Sequence, residues 1–428
     1  MRIPLAELPA DFARRALRWA ARFAHCAYFE PNGLQASAPG AFTRLLAVAT
    51  AAPGAPTTLA ELPGWLAHPS AAPRCGFLTY DLKNEVEALS SDNFSGFEWP
   101  ALHFFEPDIW LRWHSDALEI HGPADALAEI LATVEPPVSP LAAPPAVPPL
   151  RARLPRADYL RAVERVREDI LNGEVYELNL CQEFYAEGVR GLDPAALFWR
   201  LNEVSPAPFA GFVRHHDHYA LCASPERFIA HSQGVITSQP IKGTRRRGLT
   251  PADDEAQRLA LLHDEKERAE NLMIVDLVRN DLAQVAQTGT VRVPELFGTY
   301  GFRHVWQLIS TVQADLRPGL DLATILRATF PMGSMTGAPK IRAMQLSEHY
   351  EASRRGLYSG SLGYVWPSGD FEFNVVIRSL LYRADTGYLS LQVGSAITHD
   401  SVPEQEYAEC LLKAQGMLEA LSSFINEQ

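Results

Sequence analysis

Residues 209–241 read FAGFVRHHDHYALCASPERFIAHSQGVITSQPI. Four runs within them, FAGFVRH, HYALCAS, RFIAHS and GVITSQPI, are rich in apolar, β-branched and aromatic residues and follow one another with at most two residues between them. Such runs suit a pleated, half-buried surface. Joins this short serve antiparallel neighbours, because a parallel crossover needs about a dozen residues or more.

An amphipathic helix precedes them, ADYLRAVERVREDILNGE, with Leu160, Val163, Val166, Ile170 and Leu171 at helical spacing and Gly173 as its stop. The strand-like run VYELNLCQEFYA lies between. Downstream come a long helical segment (252–286), the strand-like runs LYSGSLGYVW, FEFNVVIRSLLYRA and YLSLQVGSAITH, and a final helical segment (403–425). Strands in runs, with helices grouped between them, predict an α+β fold with antiparallel sheets.

Upstream, residues 1–135 alternate helical patterns (ADFARRALRWAARFAH, DALAEILATV) with strand-like ones (CGFLTYDL, FFEPDIWLRWH) and offer no catalytic constellation. Eight prolines crowd residues 135–155, EPPVSPLAAPPAVPPLRARLP, and favour extended chain over helix. This stretch separates 1–135 from 156–428, either as a surface loop within one globule or as an interdomain linker.

The 428 residues carry 51 acidic against 38 basic side chains, a net charge of −13, which argues against a nucleic-acid surface. No apolar run approaches the length that crosses a bilayer. The start, MRIPLAELPADFARRALRWA, places acids and arginines where a signal peptide needs apolar residues, so a cytoplasmic protein is expected. Five scattered cysteines, without CxxC or Cys/His spacing, suggest free buried thiols.

Against that acidic background, SQPIKGTRRRG (238–248) gathers Lys242, Arg245, Arg246 and Arg247. The cluster is a solvated face, an anion site, or a device in which the arginines or burial lower the Lys242 pKa and free its amine as a nucleophile. Glu226, at the proline turn in CASPERF, is a turn residue or a carboxyl projected into a cleft, and the end of one hairpin could hold both it and Lys242.

Two helical segments carry carboxylates at i, i+3: Glu267 with Glu270, and Glu406 with Glu409. Each pair is an exposed face unless the two converge. Glu270 leads into the apolar run NLMIVDLV, and four converging carboxylates would call for a hard divalent cation, which Mg²⁺ fits. Lys413, one turn beyond Glu409, pairs with it or holds a substrate carboxylate. Arg378, within the apolar FNVVIRSLL, needs a buried protein carboxylate or a substrate one. GSMTGAPK (333–340) is a glycine-punctuated loop before a helical stretch, a weak anion-site signal without Walker spacing.

Taken in order, GEVYELNLCQEF, SPERF, PIKGT, DEKERAENLMIVDLVRNDL, GSMTGAPKIRAMQLSE, LYSGSLGYV, FNVVIRS and PEQEYAECLLKA resemble the chorismate-utilising enzymes. That family comprises anthranilate synthase component I, aminodeoxychorismate synthase component I, and the isochorismate and salicylate synthases, and the resemblance runs from about Tyr159 to Leu418. It implies two large antiparallel sheets packed as a sandwich, helices outside and the active site between, with residues 1–135 completing the sandwich, 136–155 a connector, and 156–428 the chorismate-binding region.

The lysine of PIKGT resembles the aminodeoxychorismate-forming branch, since anthranilate synthases usually carry Ala there. The resemblance then implies that Lys242 attacks C2 of chorismate as the C4 hydroxyl leaves with Glu226 as general acid, and that ammonia adds at C4 and expels the lysine. It implies Mg²⁺ on Glu270 and Glu409, with Glu267 and Glu406 beside them, and chorismate contacts from Gly243, Thr244, Thr336, Tyr358, Arg378, Gly394 and Lys413. A separate glutamine amidotransferase subunit would supply the ammonia, and an aminodeoxychorismate lyase would act on the product to give p-aminobenzoate for folate. The alternatives within reach are an anthranilate synthase and a noncatalytic chorismate-binding or glutaminase-activating subunit.

The chain departs from the family pattern at Arg246, where a proline is usual, and at Gln307, where many members have His. No proton-handling role is therefore carried over to position 307. HCAYFEPNG stands roughly where anthranilate synthases have an LLESG-like tryptophan-binding stretch, so tryptophan feedback is not expected.

Overall fold

The computed structural model describes residues 1–35, 37–135 and 147–426. Most of the proline-rich stretch, 136–146, falls outside the described residues. Its C-terminal end does more than extend: Leu150–Ala152 is a strand that pairs antiparallel with Glu177–Ala186 and parallel with Ile425–Asn426.

The four runs of residues 209–241 are the strands Phe209–His215, His218–Ser224, Arg227–Ser232 and Val235–Gln239. The first two form one antiparallel hairpin and the last two another, but the hairpins belong to different sheets. The middle join, Pro225-Glu226, is where the chain crosses from one sheet to the other. Pro225 has no N–H to give a ladder, and the Glu226 N–H donates to the Ser224 hydroxyl at 3.1 Å.

A second crossing runs beside it. Phe371–Asn374 lies in the smaller sheet next to Arg227–Ser232, and Ser379–Arg383 in the larger next to His218–Ser224. The Val375 N–H donates to the Glu226 carbonyl at 3.0 Å, and the Ala223 N–H to the Arg378 carbonyl at 3.2 Å. FNVVIRSLL is therefore not one strand. Arg378 sits in its break with a left-handed φ of 54°, a conformation that a side chain seldom adopts.

Among the described residues the larger sheet has 13 strands and the smaller nine. Residues 1–135 supply strands at one end of each, including His25–Glu30 and Leu45–Ala49 to the larger, and Arg74–Leu78 and Leu102–Phe105 to the smaller. The inner faces meet through Phe29, Leu45, Phe77, Phe105, Leu362 and Tyr364, with the Phe29 and Tyr364 rings 5.0 Å apart in an edge-on contact. Phe12–Ala20, Arg156–Leu171, Pro194–Val204 and Pro403–Leu421 are helices whose apolar faces contribute to the outer core of the larger sheet. Glu265–Ala283 and Leu322–Thr329 do so on the smaller. The result is an α+β sandwich with helices outside.

The long helical segment at 252–286 is two helices, Pro251–Leu262 and Glu265–Ala283. Asp264 breaks it by capping the second, its carboxylate accepting from the Glu267 N–H at 3.2 Å. All five cysteines are buried and free.

Candidate functional site

Lys242 lies on Ile241–Arg246, the edge strand of the smaller sheet, whose ladder to Val305–Asp315 slips between Ile241 and Thr244. The register slip coincides with Gly243, at φ +102°, where an added Cβ would stand 3.0 Å from Leu308 and 3.1 Å from the Glu267 carboxylate. Buried Asn271 holds this backbone. Its Nδ2 donates to the Lys242 carbonyl at 3.2 Å, and its Oδ1 accepts from the Ser310 hydroxyl at 2.6 Å.

The Lys242 ammonium faces acids. It donates to Glu177 Oε1 at 2.7 Å and lies 4.0 Å from Glu270 Oε2. Burial alone would lower the lysine pKa, but Glu177 and Glu270 outweigh it and push it well above its ordinary value. The expectation that the arginines depress it is therefore wrong for the free enzyme. Arg247 is committed to Asp254, and Arg245 lies 3.6 Å from Asp264.

Glu177 is a candidate site residue that the sequence reading passed over. It is 1% exposed on the larger sheet, and its second oxygen has no hydrogen-bond partner. A carboxylate inside the apolar alternation VYELNL was the available signal, since a buried acid needs a cation.

At the crossing, burial pushes the Glu226 carboxyl up to about 7, with the Ser334 hydroxyl, the Ile241 backbone and the Lys242 charge pulling the other way. A carboxyl poised there can hold a proton near neutrality and give it up. Its elevation also costs stability. Because the folded pKa exceeds the ordinary 4.5, the cost is absent below about pH 4.5 and complete above about pH 7, where it is about 3 kcal/mol. Glu226→Gln is expected to raise the unfolding free energy at pH 8 and to leave it nearly unchanged at pH 4.5; denaturant melts at both pH values check this, and an equal effect at each would refute it.

Glu267 and Glu406 lie in the first turns of Glu265–Ala283 and Pro403–Leu421, where helix dipoles favour negative charge, and Glu270 and Glu409 follow one turn on. Burial, Glu270, Asp264 and Glu409 raise Glu267 to about 7. Burial also raises Glu270, over the opposing pull of Lys242. Despite desolvation, Lys413 holds Glu409 below the usual carboxylate range, from 2.6 Å. Glu406 is buried and accepts from the Ser395 hydroxyl. Glu267, Glu270 and Glu409 repel one another through space, a donor chemistry that suits a hard divalent cation, although no three of the four carboxylates meet within 4.8 Å among the described residues.

The remaining sequence candidates divide. Arg378 is half-buried without an ion pair among the described residues; its guanidinium donates to the Lys413 carbonyl at 2.9 Å, and desolvation lowers its pKa. Lys413 makes the i, i+4 pair with Glu409 and donates to the Gly394 carbonyl at 2.8 Å, so these three positions adjoin. At Gly394 a Cβ would stand 2.7 Å from the Cys181 sulfur, which only glycine avoids. Tyr358 is buried, and burial raises its phenol.

Thr336 is fully buried with its hydroxyl directed to the backbone carbonyls of Met332 and Gly333. Thr244 is exposed on the edge strand, opposite Gln307. The glycine loop is a dock more than an anion cradle: Gly337–Ala338 pairs with Glu177–Leu178, and Lys340 is tied to Asp281 at 2.6 Å.

Arg355, 2% exposed, buttresses this arrangement. It pairs with Glu351 at 2.6 Å and donates to the carbonyls of Met335 and Asn179 at 2.5 and 2.9 Å, joining the loop to the Glu177 strand.

The model of the chorismate binding enzyme family matches residues 37–419. The chain belongs to that family. Among its relatives, aminodeoxychorismate synthase component 1 of Bacillus subtilis is 35% identical over 361 residues, 81% of this chain and 76% of that protein. Anthranilate synthase component 1 of Methanothermobacter thermautotrophicus is 41% identical over 268 residues, 62% and 56% of the two chains. The solved anthranilate synthase component I of Streptococcus pneumoniae superposes with a TM-score of 0.74 at 25% identity, covering 97% of this chain and 91% of that one. The sandwich is thus the fold of the chorismate-binding enzymes, and no helix of the described residues is long and apolar enough to cross a membrane.

Proposed function

We propose that this chorismate-binding enzyme is a component I of aminodeoxychorismate synthase, replacing the C4 hydroxyl of chorismate with an amino group. The observation that carries the reading is Lys242, an amine on the site's edge strand between Glu177 and the carboxylate cluster, with the Glu226 carboxyl near enough to feel its charge.

Nζ must first lose a proton, and Glu177 Oε1 at 2.7 Å is the acceptor within reach. The freed lone pair then forms a bond to C2. Both ring double bonds shift, C1=C2 to C1=C6 and C5=C6 to C4=C5, as the C4–O bond breaks, and Glu226 protonates the departing oxygen so that it leaves as water. Ammonia adds at C4, both double bonds return to their original places, and the C2–N bond breaks to restore the Lys242 amine, while the added nitrogen gives its extra proton to Glu226. Arg378, half-buried without an ion pair among the described residues, is suited to a substrate carboxylate.

Glu270 and Glu409, with Glu267 and Glu406 beside them, would hold Mg²⁺. When bound, it supplies a positive charge toward a substrate carboxylate. Ammonia is expected from a separate glutamine amidotransferase subunit, and an aminodeoxychorismate lyase is the expected consumer of the product. A cytoplasmic location suits these partners.

The test is product identity. With chorismate, Mg²⁺ and ammonium at mildly alkaline pH, the expected product by mass and retention is 4-amino-4-deoxychorismate, converted to p-aminobenzoate only when the lyase is added. Formation of anthranilate without lyase would overturn the assignment.

A further inference from the structure

Away from these residues, four histidines meet where the N-terminal part joins the sandwich. His25 and His215 are register partners on adjacent strands of the larger sheet, and His103 reaches them from Leu102–Phe105 of the smaller. The His25 and His103 rings lie 5.1 Å apart, His103 and His215 4.4 Å, and His25 and His215 5.3 Å. His216, exposed at the hairpin tip, packs 4.8 Å from both His25 and His215.

The surroundings keep these rings neutral and leave them short of partners. His25 and His103 are 3% and 5% exposed, and Phe77, Phe105 and Trp99 form apolar walls. Burial, with the neighbouring imidazoles adding to it, pushes His25 down to about 4, His103 to about 3 and His215 to about 2. Nδ1 of His25, Nε2 of His103 and Nδ1 of His215 are each buried without a hydrogen-bond partner. Each such orphan costs about 1–3 kcal/mol, so three at one point call for a common partner.

We propose that His25, His103 and His215 form a binding site for a divalent transition-metal ion of the zinc class, tying the two sheets together. One ring nitrogen from each residue lies within 4.8 Å of the others, close to a metal's span. Zinc at roughly 2.0–2.1 Å from each nitrogen would draw them closer, with water in the fourth position. Imidazole nitrogens select zinc, nickel or copper over Mg²⁺, whereas the carboxylates of the catalytic cluster select the reverse. Exposed His216 marks the side from which an ion would enter. Arg214, which donates to the carbonyls of Ala21 and His216, opposes a cation here, and the cost of the orphaned nitrogens is the counterweight.

The experiment is zinc titration of chelator-treated full-length protein in excess Mg²⁺, with Co²⁺ as a spectroscopic probe. One equivalent is expected to bind, Co²⁺ giving the absorption of a four-coordinate nitrogen site. Both His103→Asn and His215→Gln should weaken binding at least 100-fold while chorismate turnover persists. The second variant lies nearer the surface and guards against a folding failure of the first. No zinc binding in excess Mg²⁺, affinity unchanged in either folded variant, or binding lost on Glu270→Gln instead would each overturn the site; a trapped water in place of metal would give the first of these results.

Discussion

Lys242→Ala is expected to lower 4-amination of chorismate by about 10³-fold or more, because no other amine of the described residues donates to Glu177, the proposed acceptor of its proton. The same change leaves Glu177, 1% exposed, without its cation, and breaking a buried pair from one side costs about 3–5 kcal/mol. Lost stability and lost chemistry must therefore be separated. The double variant Lys242→Ala, Glu177→Gln removes the stranded charge, so it should recover most of the stability and none of the activity. Urea melts and product assays on both proteins decide it. Near-normal turnover in the single variant would refute the covalent lysine step.

Arg355→Ala is expected to destabilise the protein by about 3–5 kcal/mol, although Arg355 is not placed against substrate. It strands buried Glu351 and removes the donors that join the Met335 and Asn179 carbonyls. Arg355→Met combined with Glu351→Leu replaces both charges by apolar volume and should cost much less. A surviving activity defect in the double variant would show that the guanidinium also positions the loop on the Glu177 strand. A loss below about 1 kcal/mol in Arg355→Ala would contradict the buttress.

Much of this was legible in the chain because alternation and spacing are local properties. The short joins between FAGFVRH and HYALCAS, and between RFIAHS and GVITSQPI, led correctly to antiparallel hairpins. The join at Pro225-Glu226 looks the same in sequence, yet it crosses between sheets, because a join's length does not say which sheet its next strand enters. FNVVIRSLL failed for a related reason: apolar composition continues through a break in which Val375 and Val376 are buried.

The carboxylate pairs were legible from helical period. The state of Lys242 was not, because Glu177 lies 65 residues away and only pairing of the sheets brings it to the amine. The nearby arginines, adjacent in sequence, spend their charge on Asp254 and Asp264.

The paired crossings have a consequence for how activities diversify on this scaffold. Glu226 and Arg378 hang from two backbone segments laced to each other, so the span between acid and guanidinium behaves as a fixed ruler that sheet slippage cannot stretch. Lys242 hangs from a strand with one neighbour, at an irregular point of its ladder. In the proposed reaction the gauge for the substrate is thus built into the seam of the sandwich, while the side chain proposed to choose the reaction sits on its margin, where exchange disturbs the fewest strands.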